Sequence, residues 1–237
     1  MTFDAFARLQ GSPDRVLVVS ASLAAAKPFD LETSPLSADE QARATRFAFQ
    51  VHRERFAAAR GLLRELLGRL LEVAPKAVRF ESGAGGKPRL PPDLGRGVRF
   101  NLSHSQDRGL FSFSRGRELG VDIEALRGAV EHTAIAMRFF SPAERAALAS
   151  LASSERAAAF FTVWTRKEAY IKLLGRGLSI PLDSFDVSLD EPARLLRPSP
   201  DAPTDHVELQ SLEVPAGFRA ALAYDGGPAE VEFLELA

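Results

Sequence analysis

Ser37-Ala38-Asp39-Glu40 and Ser141-Pro142-Ala143-Glu144 are the two stretches whose reading decides the fold. Each has the form of a capping box, in which a hydroxyl and a carboxylate three residues later satisfy the free amides of a helix start. Pro142 suits a first helical position. After Ser37 the spacing predicts a helix rich in Arg that continues through Val51–Leu71, with Phe56, Leu63, Leu66, Leu67, Leu70 and Leu71 on a 3.6-residue stripe. Downstream of Ser141 it predicts a helix from about Ser154 to Leu174, stopped by Gly175-Arg-Gly177. Strands are expected before each helical run, at Arg15–Leu23 and Glu118–Ile123. Further strands are expected behind them: Val98–Leu102 and Gly109–Ser114 around the polar turn His104–Arg108, then Ser184–Leu189, His206–Leu212, Phe218–Tyr224 and Val231–Leu234. Asp225-Gly-Gly reads as a turn between the last two. Glu54-Arg55 is echoed by Glu155-Arg156, and Leu66-Leu-Gly-Arg69 by Leu173-Leu-Gly-Arg176. The repeated order predicts an α+β fold, a pseudo-dimer of two similar α/β subdomains, residues 1–118 and 119–237. A duplication of this kind is expected to place the active site at the interface of its halves.

The chain has 237 residues, 46% apolar and 26% charged, an ordinary globular balance that excludes disordered and fibrous classes. A net charge of −1 disfavours a nucleic-acid or membrane-surface binder. Without cysteine there is no disulfide framework, thiolate metal site or thiol nucleophile. No signal-peptide core and no long apolar run stand in the sequence, so a cytoplasmic protein is the expectation; a fused pseudo-dimer satisfies its own interface, so it is expected to be monomeric.

Only five of the thirty basic residues are lysine: Lys27, Lys76, Lys87, Lys167 and Lys172. In a chain that uses Arg as its default cation, a compact ammonium suits phosphate oxygens and proton transfer. Between Gln41 and Arg79 nine basic residues face only Glu54, Glu65 and Glu72. That basic run suits a strongly anionic ligand, or simply a solvated helix face.

Three motifs carry chemistry. In Gly120-Val-Asp122-Ile-Glu124, residues two apart on a strand share a face, so Asp122 and Glu124 project together with Val121 and Ile123 behind them. Adjacent carboxylates repel unless a cation such as Mg²⁺ neutralises them. In Trp164-Thr-Arg-Lys167-Glu168-Ala-Tyr-Ile-Lys172, the i, i+4, i+8 spacing lines Trp164, Glu168 and Lys172 along one helix face. Glu168 could add a third carboxylate or take a proton; a surface Glu–Lys pair is the plainer alternative. Phe100-Asn-Leu-Ser103-His104-Ser105 ends a strand in donors for an anion. Ser103 and His104 would point to opposite faces there, and no G-x-S-x-G elbow exists, which argues against a serine hydrolase. Phosphate loops of the P-loop and dinucleotide-binding types are absent, as are zincin and EF-hand motifs.

Together these pieces resemble the Sfp-type 4′-phosphopantetheinyl transferases. That family's ordered pattern is matched by Gly86-Lys87-Pro88, Phe100–Ser105, Gly120–Glu124 and Trp164–Lys172, with Arg138-Phe-Phe-Ser141 and Gly175-x-Gly177…Pro181-Leu-Asp-Ser-Phe185 as further signatures. The resemblance implies Mg²⁺-dependent (alternatively Mn²⁺-dependent) transfer of 4′-phosphopantetheine from coenzyme A to a serine of an acyl or peptidyl carrier protein, releasing adenosine 3′,5′-bisphosphate. It implies Asp122, Glu124 and Glu168 as metal ligands and Asp122, Glu168 and Lys172 as the catalytic set, with Glu168 as ligand or general base. Lys87, Ser103, His104, Arg43, Arg46, Arg55 and Lys172 would hold the coenzyme. The stretch from Ala125 to Phe140, with Arg127, Val130, Ile135 and Met137, would meet the carrier. A non-catalytic coenzyme-binding relative or a metal-dependent phosphodiesterase would be the competing classes; the first need not keep three acids, and the second does not explain the Gly-Lys-Pro loop.

Overall fold

The computed structural model describes residues 2–24, 34–127, 131–200, 202 and 206–236. Lys27 and Val130 lie outside them. The chain divides into two compact units: Met1–Glu81 with Pro88–Gly116 and Glu230–Ala237, and Ser82–Lys87 with Arg117–Ala229. A division at 118/119 follows the chain, whereas these units exchange two segments: residues 82–87 belong to the second and the C-terminal strand to the first.

Unit 1 contains α1 (Thr2–Gly11), β1 (Arg15–Ser22), α2 (Ala38–Thr45), α3 (Gln50–Leu71), β2 (Val98–Ser105) and β3 (Arg108–Arg115). Unit 2 contains β4 (Leu119–Ala125), α4 (His132–Phe139), α5 (Pro142–Ala149), α6 (Ser153–Leu174), β5 (Val207–Ser211) and β6 (Phe218–Asp225). A last strand, β7 (Glu230–Leu236), returns to unit 1.

Both units follow one plan, so the α+β duplication holds. A first strand is followed, in unit 2 after the additional helix α4, by an eight-residue helix opened by a capping box and then by a 22-residue helix. A hairpin follows whose second strand lies antiparallel beside the first strand, giving the orders β1-β3-β2 and β4-β6-β5. The stripe expected on α3 is its core face: Phe56, Leu63, Leu66, Leu67, Leu70 and Leu71 are all buried, most of them against Leu17, Val19, Phe111 and Phe113 of the sheet. In unit 2 Phe160, Phe161, Tyr170 and Ile171 of α6 pack with Phe140, Phe185, Ala221 and Ala223.

The repeat reaches the buried charges. Arg64 and Lys167 are each the fifteenth residue of their long helix, counting from Gln50 and from Ser153. Arg64 Nε lies 2.5 Å from Glu40 Oε2, and Lys167 Nζ lies 2.8 Å from Glu144 Oε1. Both acids are the final residues of the capping boxes. Each cation also holds carbonyls of the segment after its helix, those of Pro75 and Val78 for Arg64 and those of Leu182 and Phe185 for Lys167. Both lie over an aromatic ring, Phe80 and Phe185 respectively. By contrast, the echoed Leu-Leu-Gly-Arg segments are not equivalent. Leu66–Arg69 lies inside α3, while Leu173–Arg176 straddles the end of α6. The residue equivalent to the left-handed cap Gly175 is Glu72, itself at φ 58°.

Two expectations are corrected. The basic run is not one continuous helix: Phe49 is extended, and the break before α3 lets Phe47 turn onto Phe56, ring centroids 5.4 Å apart. Asp225-Gly-Gly does not close a hairpin. Arg117 Nη1 donates to the carbonyls of Asp225 and Gly227, both 2.8 Å away, and fixes the turn as an exit. Beyond it β7 pairs parallel with β1, Val18 opposite Phe233, and its Glu232 meets Arg8 of α1. Leu234 and Leu236 then pack on the unit 1 core.

Candidate active site

The site is assembled in unit 2 from β4 and α6. Gly120 lets them meet: a Cβ there would stand 2.1 Å from Ala169 O and 2.4 Å from Leu173 N, both backbone atoms of α6. With strand and helix in direct contact, Asp122 of β4 and the Trp164–Glu168–Lys172 face of α6 come together. Lys172 Nζ donates to Asp122 Oδ1 at 2.6 Å and to Val121 O at 3.2 Å. Asp122 is 3% exposed, and Val121 and Ile123 are fully buried behind it. Trp164 closes one end of the helix face by stacking on Phe160, centroids 5.8 Å apart.

Glu168 has its carboxyl pushed up to about 7, first by burial, then by the negative charge of Asp122, with Glu124 adding to it and the Lys172 ammonium opposing it. Glu168 therefore feels the charges of both Asp122 and Glu124. A buried carboxyl raised by two neighbouring acids is the donor chemistry that suits a divalent cation such as Mg²⁺. Among the described residues no three acid or imidazole side chains are drawn together as a ready cation cage. The cation on Asp122 is the ammonium of Lys172.

Several other site residues fall elsewhere. Lys167 is not a ligand-binding lysine but a fully buried core cation, its pKa lowered by burial against the pull of Glu144. Lys87 is buried, with Nζ 2.8 Å from Leu119 O and 3.1 Å from Glu118 Oε2. In unit 1, β2 runs on through Ser105, so Ser103 is buried and His104 on the opposite face is exposed. Arg43 and Arg46 are exposed at the end of α2, and Arg43 sits 5.2 Å from the Phe56 ring centroid. Arg55 is half-buried on α3. Arg60 and Arg64 of the same basic run turn inward to Glu40, so part of that charge is structural. Sequence reasoning missed Glu118, which receives Lys87, and Arg219, which stands opposite Glu124 in the β4–β6 ladder. No local pattern marks either, because each acts through a residue distant in sequence.

The fold and this centre define an α+β protein with buried acidic residues beside a lysine. Residues 118–223 match the 4′-phosphopantetheinyl transferase superfamily model, and residues 24–111 match the model of the 4′-phosphopantetheinyl transferase N-terminal region. The chain is 44% identical over 163 residues to the 4′-phosphopantetheinyl transferase HetI of Nostoc sp., covering 68% of each protein. It is 30% identical over 189 residues to 4′-phosphopantetheinyl transferase Sfp of Bacillus subtilis, covering 79% of this chain and 81% of that one. It is 32% identical over 212 residues to 4′-phosphopantetheinyl transferase psf-1 of Bacillus pumilus, covering 89% and 84%. The chain belongs to the Sfp-type 4′-phosphopantetheinyl transferase family.

Proposed function

We propose that this transferase moves 4′-phosphopantetheine from coenzyme A to a serine hydroxyl of an acyl or peptidyl carrier protein and releases adenosine 3′,5′-bisphosphate. The observation that supports it most is the Asp122–Lys172 pair beside a Glu168 whose carboxyl is held near 7. A group with that pKa is divided between base and acid at neutral pH, which suits taking the proton of an attacking hydroxyl. Asp122, Glu124 and Glu168 would hold Mg²⁺, which when bound neutralises pyrophosphate oxygens. Lys172 would stabilise charge on the phosphate as the P–O bond breaks. Arg43, Arg46, Arg55, Ser103 and His104 are assigned to the coenzyme, with the exposed cations suited to its phosphates. Met137 is 59% exposed on α4 and supports this helix as the carrier's docking element.

Intact-mass spectrometry tests the reading. An apo carrier protein incubated with the enzyme, Mg²⁺ and coenzyme A should gain the mass of one phosphopantetheine, and the gain should vanish with EDTA or Glu168→Ala. No gain across acyl and peptidyl carriers would refute it. Among the described residues no helix is long and apolar enough to cross a membrane.

A further inference from the structure

We propose that the Lys87 side chain is a positioning residue that holds Asp122 and Lys172 in register, rather than a contact to the coenzyme; this rests on the function proposed above. Its ammonium bridges the two elements that carry the pair. Nζ lies 2.8 Å from Leu119 O on β4 and 3.4 Å from Leu173 O on α6. Leu173 is the residue after Lys172, and its carbonyl is among the last four of the helix, which have no partner within it. A cation is favoured at that end.

Among the described residues β4 stands at the end of its sheet, paired with β6. Carbonyls two residues apart face the same edge. Leu119 O receives Lys87 and Val121 O receives Lys172, so the two ammonium groups share one edge of the strand. Lys87 thus fixes the strand just before Asp122 and the helix just after Lys172.

The loop that delivers Lys87 is shaped for this. Gly83 N donates to Lys87 O at 2.9 Å and closes the loop on itself. Gly85 has φ +63°, and a Cβ there would stand 2.5 Å from Gly175 O and 2.7 Å from Arg176 Cα. Only glycine lets the loop backbone lie this close to the cap of α6. The side chain of Lys87 is 7% exposed, so reaching a phosphate would require it to leave both carbonyls.

The experiment compares Lys87→Met, Lys172→Met and the double variant for kcat, and measures coenzyme A Kd by calorimetry. Lys87→Met should lower kcat about 10- to 100-fold with the coenzyme A Kd within about twofold. In the Lys172→Met background the same change should cost under about threefold, because a residue acting through Lys172 has nothing left to position. Lys87→Gln, which keeps an N–H donor, should retain more activity than Lys87→Met. A tenfold weaker coenzyme A Kd with kcat unchanged, or losses that multiply in the double variant, would overturn the proposal. Hydrogen exchange on the resting Lys87→Gln protein needs no substrate. It should speed up over residues 119–125 and 169–176 and stay unchanged elsewhere; unchanged exchange there also overturns the proposal. If the wild-type protein charges no carrier yet this exchange pattern appears, the function fails and the positioning role stands.

Discussion

Lys172 Nζ stands 2.6 Å from Asp122 Oδ1, fifty residues away in the chain. The contact joins the end of α6 to the middle of β4 and gives the acidic centre its internal cation. Lys172 also restrains Glu168, whose carboxyl would rise further without it. Lys172→Met should therefore move the Glu168 titration above about 7, read by carboxyl infrared difference spectra of the metal-free protein. Turnover should fall by about 100-fold, the scale of removing one charge-stabilising donor. A Glu168 titration that does not move would show that the ammonium is not near it in solution.

The acidic centre also makes stability depend on pH. Glu168 titrates near 7 in the folded protein, against 4.5 for an ordinary carboxyl. Between those values the folded state holds a proton that the unfolded chain has released, so stability falls as pH rises through this window. Above about 7 the full destabilisation is present. In metal-free buffer Glu168→Gln should be more stable than wild type at pH 8 by about 1–3 kcal/mol. The advantage should disappear by about pH 4.5. Urea unfolding at a series of pH values measures it, and equal midpoints at pH 8 would contradict the prediction.

The acid chemistry and both long helices are legible in the sequence because they rest on local spacing: two residues on a strand, four on a helix. Capping boxes at Ser37 and Ser141 are equally local, and both are formed. What is not legible depends on distant partners. Lys167 stands one residue from Glu168 yet belongs to the core, because the acid that claims it, Glu144, is on another helix. Asp225-Gly-Gly has hairpin chemistry, but Arg117 and the open edge of β1 decide where the chain goes. The helix α1 carries no cap pattern; its identity rests on Ala5, Phe6 and Leu9 finding the unit 1 core.

Buried cations set the second stability prediction. Lys167 and Glu144 side chains are 0% and 3% exposed, so Lys167→Met leaves a carboxylate buried without its charge partner, a loss of about 3–5 kcal/mol. Glu144→Gln combined with Lys167→Met should cost less than Lys167→Met alone. In unit 1, burial pushes the Glu40 carboxyl up, but Arg60, the Ser37 amide and Arg64 outweigh it and leave its pKa lowered. Its stabilisation is complete above the ordinary value of 4.5 and is lost as pH falls through the lower folded value. Glu40→Gln should therefore flatten acid unfolding below about pH 4.5, followed by circular dichroism.

Gly120→Ala tests the close approach of strand and helix. Its Cβ would collide with backbone of α6 at 2.1 Å, and backbone cannot swing aside as a side chain can. The helix must shift off β4, which strains the core and separates Lys172 from Asp122. A loss of about 3 kcal/mol or more is expected, with turnover falling even where the protein remains folded. A stable, fully active Gly120→Ala protein would show that the two elements are less tightly apposed.

Met137 sets the last prediction. On α4, Ile135 and Phe139 pack against the unit 2 core while Met137 points out, 59% exposed. Arg145 Nη1 donates to the main-chain carbonyl of Met137 at 3.2 Å, so a cation holds the backbone at this position. An apolar side chain left in water on a folded helix contributes little to stability, and its removal should change the unfolding midpoint by less than about 0.5 kcal/mol. If α4 docks the carrier, Met137→Ala should raise the carrier KM about 3- to 10-fold and leave coenzyme A binding unaltered. Arg127→Glu should act in the same direction by charge. Carrier titrations at saturating coenzyme A read both. A KM unchanged in both variants would move the docking surface off this helix, since a residue so exposed has no other route by which to affect carrier binding alone.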